Sequence, residues 1–120
     1  LDCLFGYLYA LNFIANSDEY ISVNFNVGPQ DLREITVLDI CKQAKKWFPE
    51  LSYNLNTDVV AESKFLLLDS MLLTKCTGWK PLYNTEQAVE KTFKWYYNFE
   101  NGSDVSNLVN GDIEDYLNKT

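Results

Sequence analysis

Apolar residues recur at three- and four-residue spacing from the first position onward. Leu1, Leu4, Leu8 and Leu11 form the stripe, and Phe5 and Ile14 widen it. That period predicts a helix over residues 1–16 with these side chains as its apolar face. Asn16-Ser17-Asp18 breaks it. Residues 20–27 then switch to a period of two: Tyr20, with Ile21, Val23, Phe25 and Val27 on one face and Ser22, Asn24 and Asn26 on the other. Such alternation predicts a half-buried strand, ended by Gly28-Pro29. Thr36 and Asp39 have the spacing of a capping box, and Val37, Ile40, Cys41, Ala44, Trp47 and Phe48 follow at helical period up to Pro49. Residues 52–56 read as a short strand carrying Tyr53 and Leu55, residues 57–64 as irregular, and 65–68 as a short buried strand or extended segment. Asp69 is placed to cap a short helix to about Cys76, with Thr77-Gly78 as its stop. Thr85 is placed to cap the strongest helix, 86–100, with Ala88, Val89, Thr92, Phe93, Tyr96 and Phe99 on its apolar face. Residues 104–118 read as a last short helix or frayed turns, and 101–120 as a tail that need not be well ordered.

The predicted order is helix, strand, helix, strand, extended segment, short helix, long helix, with no repeat and no internal linker. The fold class is therefore α/β, mostly helical with a few short strands. Strands are too few for a complete sheet, and residues 1–120 look like the smaller lobe of a two-lobed protein. Leu1 already sits inside an apolar pattern and is not Met, so the chain is expected to be cut from a longer one.

The 120 residues are 47% apolar and 15% aromatic, which argues against disorder. Ten basic against 17 acidic residues give a net charge of −7, unfavourable for nucleic acid or an anionic membrane. Lys42, Lys45 and Lys46 fall at the end of a predicted helix, where they complement its dipole. Cys3, Cys41 and Cys76 are odd in number and widely spaced, so disulfides and a zinc site are not expected. Each lies in a helical apolar run, the pattern of a buried reduced thiol and of a cytoplasmic protein. Histidine is absent, which removes histidine-based catalysis and metal ligation from the chain. Gly102-Ser103-Asp104 and Asp112, Glu114 and Asp115 fit no calcium-loop spacing.

Four stretches carry a family likeness. Lys75-Cys76-Thr77-Gly78-Trp79-Lys80-Pro81, followed by Glu86, Ala88, Thr92, Trp95 and Tyr96, resembles the ending of extended short-chain dehydrogenase/reductases that act on sugar nucleotides. Leu1-Asp2-Cys3-Leu4-Phe5-Gly6-Tyr7-Leu8, Phe25-Asn26-Val27-Gly28-Pro29-Gln30-Asp31 and Ala61-Glu62-Ser63-Lys64-Phe65-Leu66-Leu67-Leu68-Asp69 are similar to segments of the CDP-glucose 4,6-dehydratases. The resemblance implies a carboxy-terminal, substrate-binding lobe of an enzyme of deoxysugar or polysaccharide synthesis. It implies a separate Rossmann lobe that binds NAD and carries the Tyr-x-x-x-Lys chemistry. This chain holds no G-x-G-x-x-G among its five glycines, and none of its eight tyrosines has Lys four residues on. No catalytic residue and no cofactor is expected within it, and it should be inactive alone. The implied partners are CDP-glucose or a similar nucleotide-sugar, the chain's own amino-terminal lobe, and a homo-oligomer.

By position in the resembled family, Glu62 would meet a ribose, whose adjacent hydroxyls suit a carboxylate. The family has Arg or His where this chain has Val59, and His where it has Ala61, so Lys64 and Arg33 are the cations left for a diphosphate. Asn26 and the Gly28-Pro29 turn would face the cleft, since Gly permits close backbone approach. Another sugar-nucleotide dehydratase, a 4-epimerase, or a non-catalytic interaction domain descended from such a lobe would leave much of the same pattern. Trp79, Trp95 and Tyr96 sit at motif positions but have the spacing of core residues.

Overall fold

The computed structural model describes residues 1–18, 22–31, 35–55 and 67–120. Five helices form among the described residues: α1 (Asp2–Ala15), α2 (Val37–Trp47), α3 (Met71–Thr77), α4 (Thr85–Glu100) and α5 (Val105–Leu117). The fold is mostly helical, as the apolar period implied. No strand occurs among the described residues, which hold 22–27, 52–55 and 67–68 of the predicted strands; residues 20, 21, 56, 65 and 66 lie outside them. Residues 22–27 have no regular structure, yet their alternation holds. Val23, Phe25 and Val27 are half-buried, and Ser22, Asn24 and Asn26 are exposed. The side-chain pattern was read correctly, but a strand also needs a hydrogen-bonded neighbour. Tyr53 and Leu55 are exposed without regular structure, as are Leu67 and Leu68.

Local chemistry explains where the helices start and stop. The Thr36 hydroxyl accepts from the Asp39 amide at 3.2 Å, and the Thr36 amide donates to the Asp39 carboxylate at 3.2 Å, a complete capping box. Both donors on Thr36 hold the Asp39 carboxyl below its ordinary range. Helix α4 begins one residue earlier than expected. Asn84 is its N-cap and Gln87 closes the box, while Thr85 is the first helical residue. Asn and Gln at that spacing do the same work as Ser and Glu. Gly78 ends α3 at φ 77°, the left-handed conformation that Gly adopts without strain. Asp69 accepts the Met71 amide at 2.8 Å, although Ser70 holds the N-cap position. The carboxy-terminal stretch is a helix of 13 residues, not frayed turns, and Asp104 caps it by accepting the Asn107 amide.

Packing pairs α2 with α4, α1 with α3, and α4 with α5. Leu73, Trp79, Ala44 and Tyr116 are the buried apolar residues among those described, so Trp79 is core as anticipated. Tyr96 and Phe99, expected on the inner face of α4, are exposed. The larger correction concerns α1. It turns Asp2, Phe5, Gly6 and Phe13 inward and leaves Leu1, Leu4, Leu8 and Leu11 in solvent. Phe5 stacks on Tyr116 at 4.4 Å, Phe13 meets the edge of Phe25 at 6.0 Å, and Gly6 sits against Val27 and Trp79. Cys3, at the start of α1, is exposed where burial was expected, and all three thiols are free.

Candidate functional site

The Gly28-Pro29 turn is held to the start of α3 by residues far away in sequence. Ser70, 2% exposed, donates from Oγ to the Gly28 carbonyl at 3.3 Å, and Gln30 Nε2 donates to Thr74 Oγ1 at 2.7 Å. Asp31 extends the stitching by accepting the Thr85 amide at 2.9 Å and the Thr85 hydroxyl at 2.6 Å. Gly28 is buried, and a Cβ there would lie 3.1 Å from Leu68 Cβ. The close approach that this glycine permits is therefore to the chain itself.

Two cavities flank this turn. One, of about 480 Å³, lies between residues 29–31 and 67–74, with Gln30, Asp31, Asp69, Ser70 and Thr74 as its polar lining. The other, of about 310 Å³, is almost wholly apolar and runs past Gly28 and Pro29 to Ile40, Trp79, Val89 and Phe93. Among the described residues, Trp79 Nε1 is the buried side-chain polar atom that has no hydrogen-bond partner.

Chemically, the larger of these two cavities is walled mostly by Pro29, Leu67, Leu68 and Met71, and the hydroxyl, amide and carboxylate groups among them can meet the hydroxyls of a ligand. Its described lining contains two acids and no cation, so it lacks what a diphosphate requires. Asn26 is exposed and lines neither cavity, and Gly28 lines the smaller, apolar one. Glu62, Lys64 and Arg33 lie outside the described residues, as do Val59 and Ala61. Sequence reasoning missed Ser70, Gln30 and Thr74. Ser70 directly follows the motif residue Asp69, but nothing local in the sequence pairs it with Gly28, 42 residues away.

A second polar cluster joins the two ends of the chain. Asp2 accepts the Leu82 amide at 2.7 Å, the Tyr83 amide at 3.1 Å and the Tyr116 hydroxyl at 2.7 Å. Burial, reinforced by this bond to Asp2, pushes the Tyr116 phenol well above its ordinary range. Lys91 and Lys119 bind Asp115 at 2.8 and 2.9 Å and hold its carboxyl well below the usual carboxylate range. The same bonds raise both lysines. Asp104 and Asp115, whose spacing fits no calcium loop, act as a helix cap and as the partner of two lysines.

Comparison with models of protein families, with curated proteins and with solved structures finds no match. No described helix is long and apolar enough to cross a membrane.

Proposed function

We propose that this chain is a nucleotide-sugar-binding lobe similar to that of the CDP-glucose 4,6-dehydratases, cytoplasmic, and inactive without a separate NAD-binding lobe. The supporting observation is the stitching of the Gly28–Asp31 segment to residues 68–74. These two stretches carry family-like motifs, stand some 40 residues apart, and together wall a mostly apolar cavity to which Gln30, Asp31, Asp69, Ser70 and Thr74 add amide, carboxylate and hydroxyl groups. On this reading the cavity takes the sugar or ribose hydroxyls, Glu62 adds a ribose contact, and Arg33 and Lys64 supply the charge for the diphosphate.

The test is a titration of CDP-glucose followed by amide NMR, with the UDP-, GDP- and dTDP-sugars in parallel. Shifts at Gly28, Gln30 and Ser70 that weaken in Arg33→Ala and Lys64→Ala are expected. An unchanged spectrum with all four nucleotides would sink the reading. Incubation with NAD and CDP-glucose should give no turnover. The exposed apolar face of α1 favours a second reading, a non-catalytic interaction domain; a well-folded protein that binds none of these nucleotides would support it.

A further inference from the structure

The apolar cavity beside the Gly28-Pro29 turn measures about 310 Å³, and Pro29, Ile40, Pro81, Val89 and Phe93 are its apolar walls. An apolar cavity of roughly 150 Å³ admits benzene, so this one has room for a body of about two fused rings. Small-molecule sites are built this way: an apolar cleft of roughly 300–1,000 Å³ in which a few polar groups set the ligand's orientation.

The polar side chains of the described lining are committed, save one N–H. The Tyr83 hydroxyl donates to Asp115 at 3.3 Å, the Thr85 hydroxyl to Asp31 at 2.6 Å, and the Thr92 hydroxyl to the Ala88 carbonyl at 2.8 Å. Asp2, the one acid of that lining, already accepts two amides and the Tyr116 hydroxyl. The N–H left over belongs to Trp79, which also lines the cavity. Trp79 is 3% exposed, and its Nε1 is the buried side-chain polar atom without a partner among the described residues. A buried donor left unpaired is costly, and a ligand that supplies an acceptor removes that cost.

We propose that this cavity is a binding site for a small uncharged molecule with an apolar, ring-sized body and a single hydrogen-bond acceptor, which takes the Trp79 Nε1–H. An anion meets no cation in the described lining, and a cation meets only an acid that three donors already hold. A ligand rich in hydroxyls would bury them without partners. The site is therefore chemically unlike the polar cavity proposed for sugar hydroxyls, with which its described lining shares Pro29 alone.

Quinoline and naphthalene test this, titrated separately onto the 15N-labelled chain at neutral pH. They have the same shape, and only quinoline carries an acceptor. Quinoline should give saturating shifts at the Val89 and Phe93 amides and move the Trp79 Nε1–H proton downfield, as a new hydrogen bond does. Naphthalene should shift the same amides without that downfield move. Val89→Trp fills the space a ring would occupy and should weaken quinoline binding about tenfold, because the ring loses its apolar burial. Ile40→Phe fills the cavity from α2 and serves if the first variant fails to fold. Val37→Lys changes a residue 77% exposed on α2 that does not line the cavity, and should bind like the parent. The proposal is overturned if quinoline produces no saturating shifts, or if it binds and leaves the Trp79 Nε1–H where naphthalene leaves it. It is also overturned if the folded cavity-filling variants bind quinoline as the parent does. Neither probe contains a sugar or a phosphate, so this result and the nucleotide titration fail independently.

Discussion

Gly6 seats α1 closely against Val27 and Trp79. A Cβ there would lie 2.7 Å from Val27 Cγ1 and 3.3 Å from two ring carbons of Trp79. Val27 is short and branched and has little freedom to yield. Alanine would gain about 1 kcal/mol of helix propensity but would overpack a site where such insertions cost about 1–3 kcal/mol. Gly6→Ala should therefore be net destabilising, read as a lower midpoint in urea at unchanged slope. Leu73 is fully buried, and truncating such a leucine costs about 2–5 kcal/mol. Leu73→Ala should thus be the more damaging of the two in the same measurement. Trp79 was legible as core from its connector position between Gly78 and Pro81. Gly6 was not, because a glycine inside a helical period signals nothing until the helix's neighbour is known.

The capping boxes show what the sequence discloses about an element and what it withholds. Thr36 and Asp39 spell out the start of α2. Replacing such an N-cap with alanine costs about 1 kcal/mol, so Thr36→Ala should lower the thermal midpoint, and Asp39→Ala should lower it in the same direction by removing the reciprocal bond. At α4 the same chemistry sits one residue earlier than Thr85, because Asn84 with Gln87 is as good a box as Thr with Glu. The faces of residues 22–27 were legible because alternation is local. Strand pairing was not, because a ladder depends on residues elsewhere in the chain or outside it. The orientation of α1 was hidden for another reason: a helix apolar on every side has no single moment to choose which face turns inward. The candidate site divides in the same way. Gly28, Pro29 and Asp69 stood out through their motifs, whereas Ser70, Gln30 and Thr74 became visible only when the fold brought the two segments together.

At the scale of the whole molecule, the cluster around Asp2 and Asp115 joins α1, the 82–83 turn, α4 and α5, and it should set the limits of pH stability. Asp115 titrates lower in the folded chain than in the unfolded one. Its contribution is therefore complete above the unfolded value near 3.8 and is lost as pH falls through the folded value. Tyr116 titrates higher when folded. Its contribution is complete below the unfolded value of 10.0 and is lost as pH rises toward the folded one. Lys91 and Lys119, also raised, lose theirs on the same alkaline side, above 10.5. The thermal midpoint should thus run nearly level between these limits and fall on both sides. Asp115→Asn should lower the midpoint at neutral pH, because two lysines lose their partner, and should flatten the acid limb. Tyr116→Phe should lower it at neutral pH, leaving Asp2 with two amide donors, and should make the alkaline limb shallower without touching the acid one. An alkaline limb equally steep in Tyr116→Phe would mean that the lysines alone carry it and that the contact between the chain's two ends adds nothing to alkaline stability.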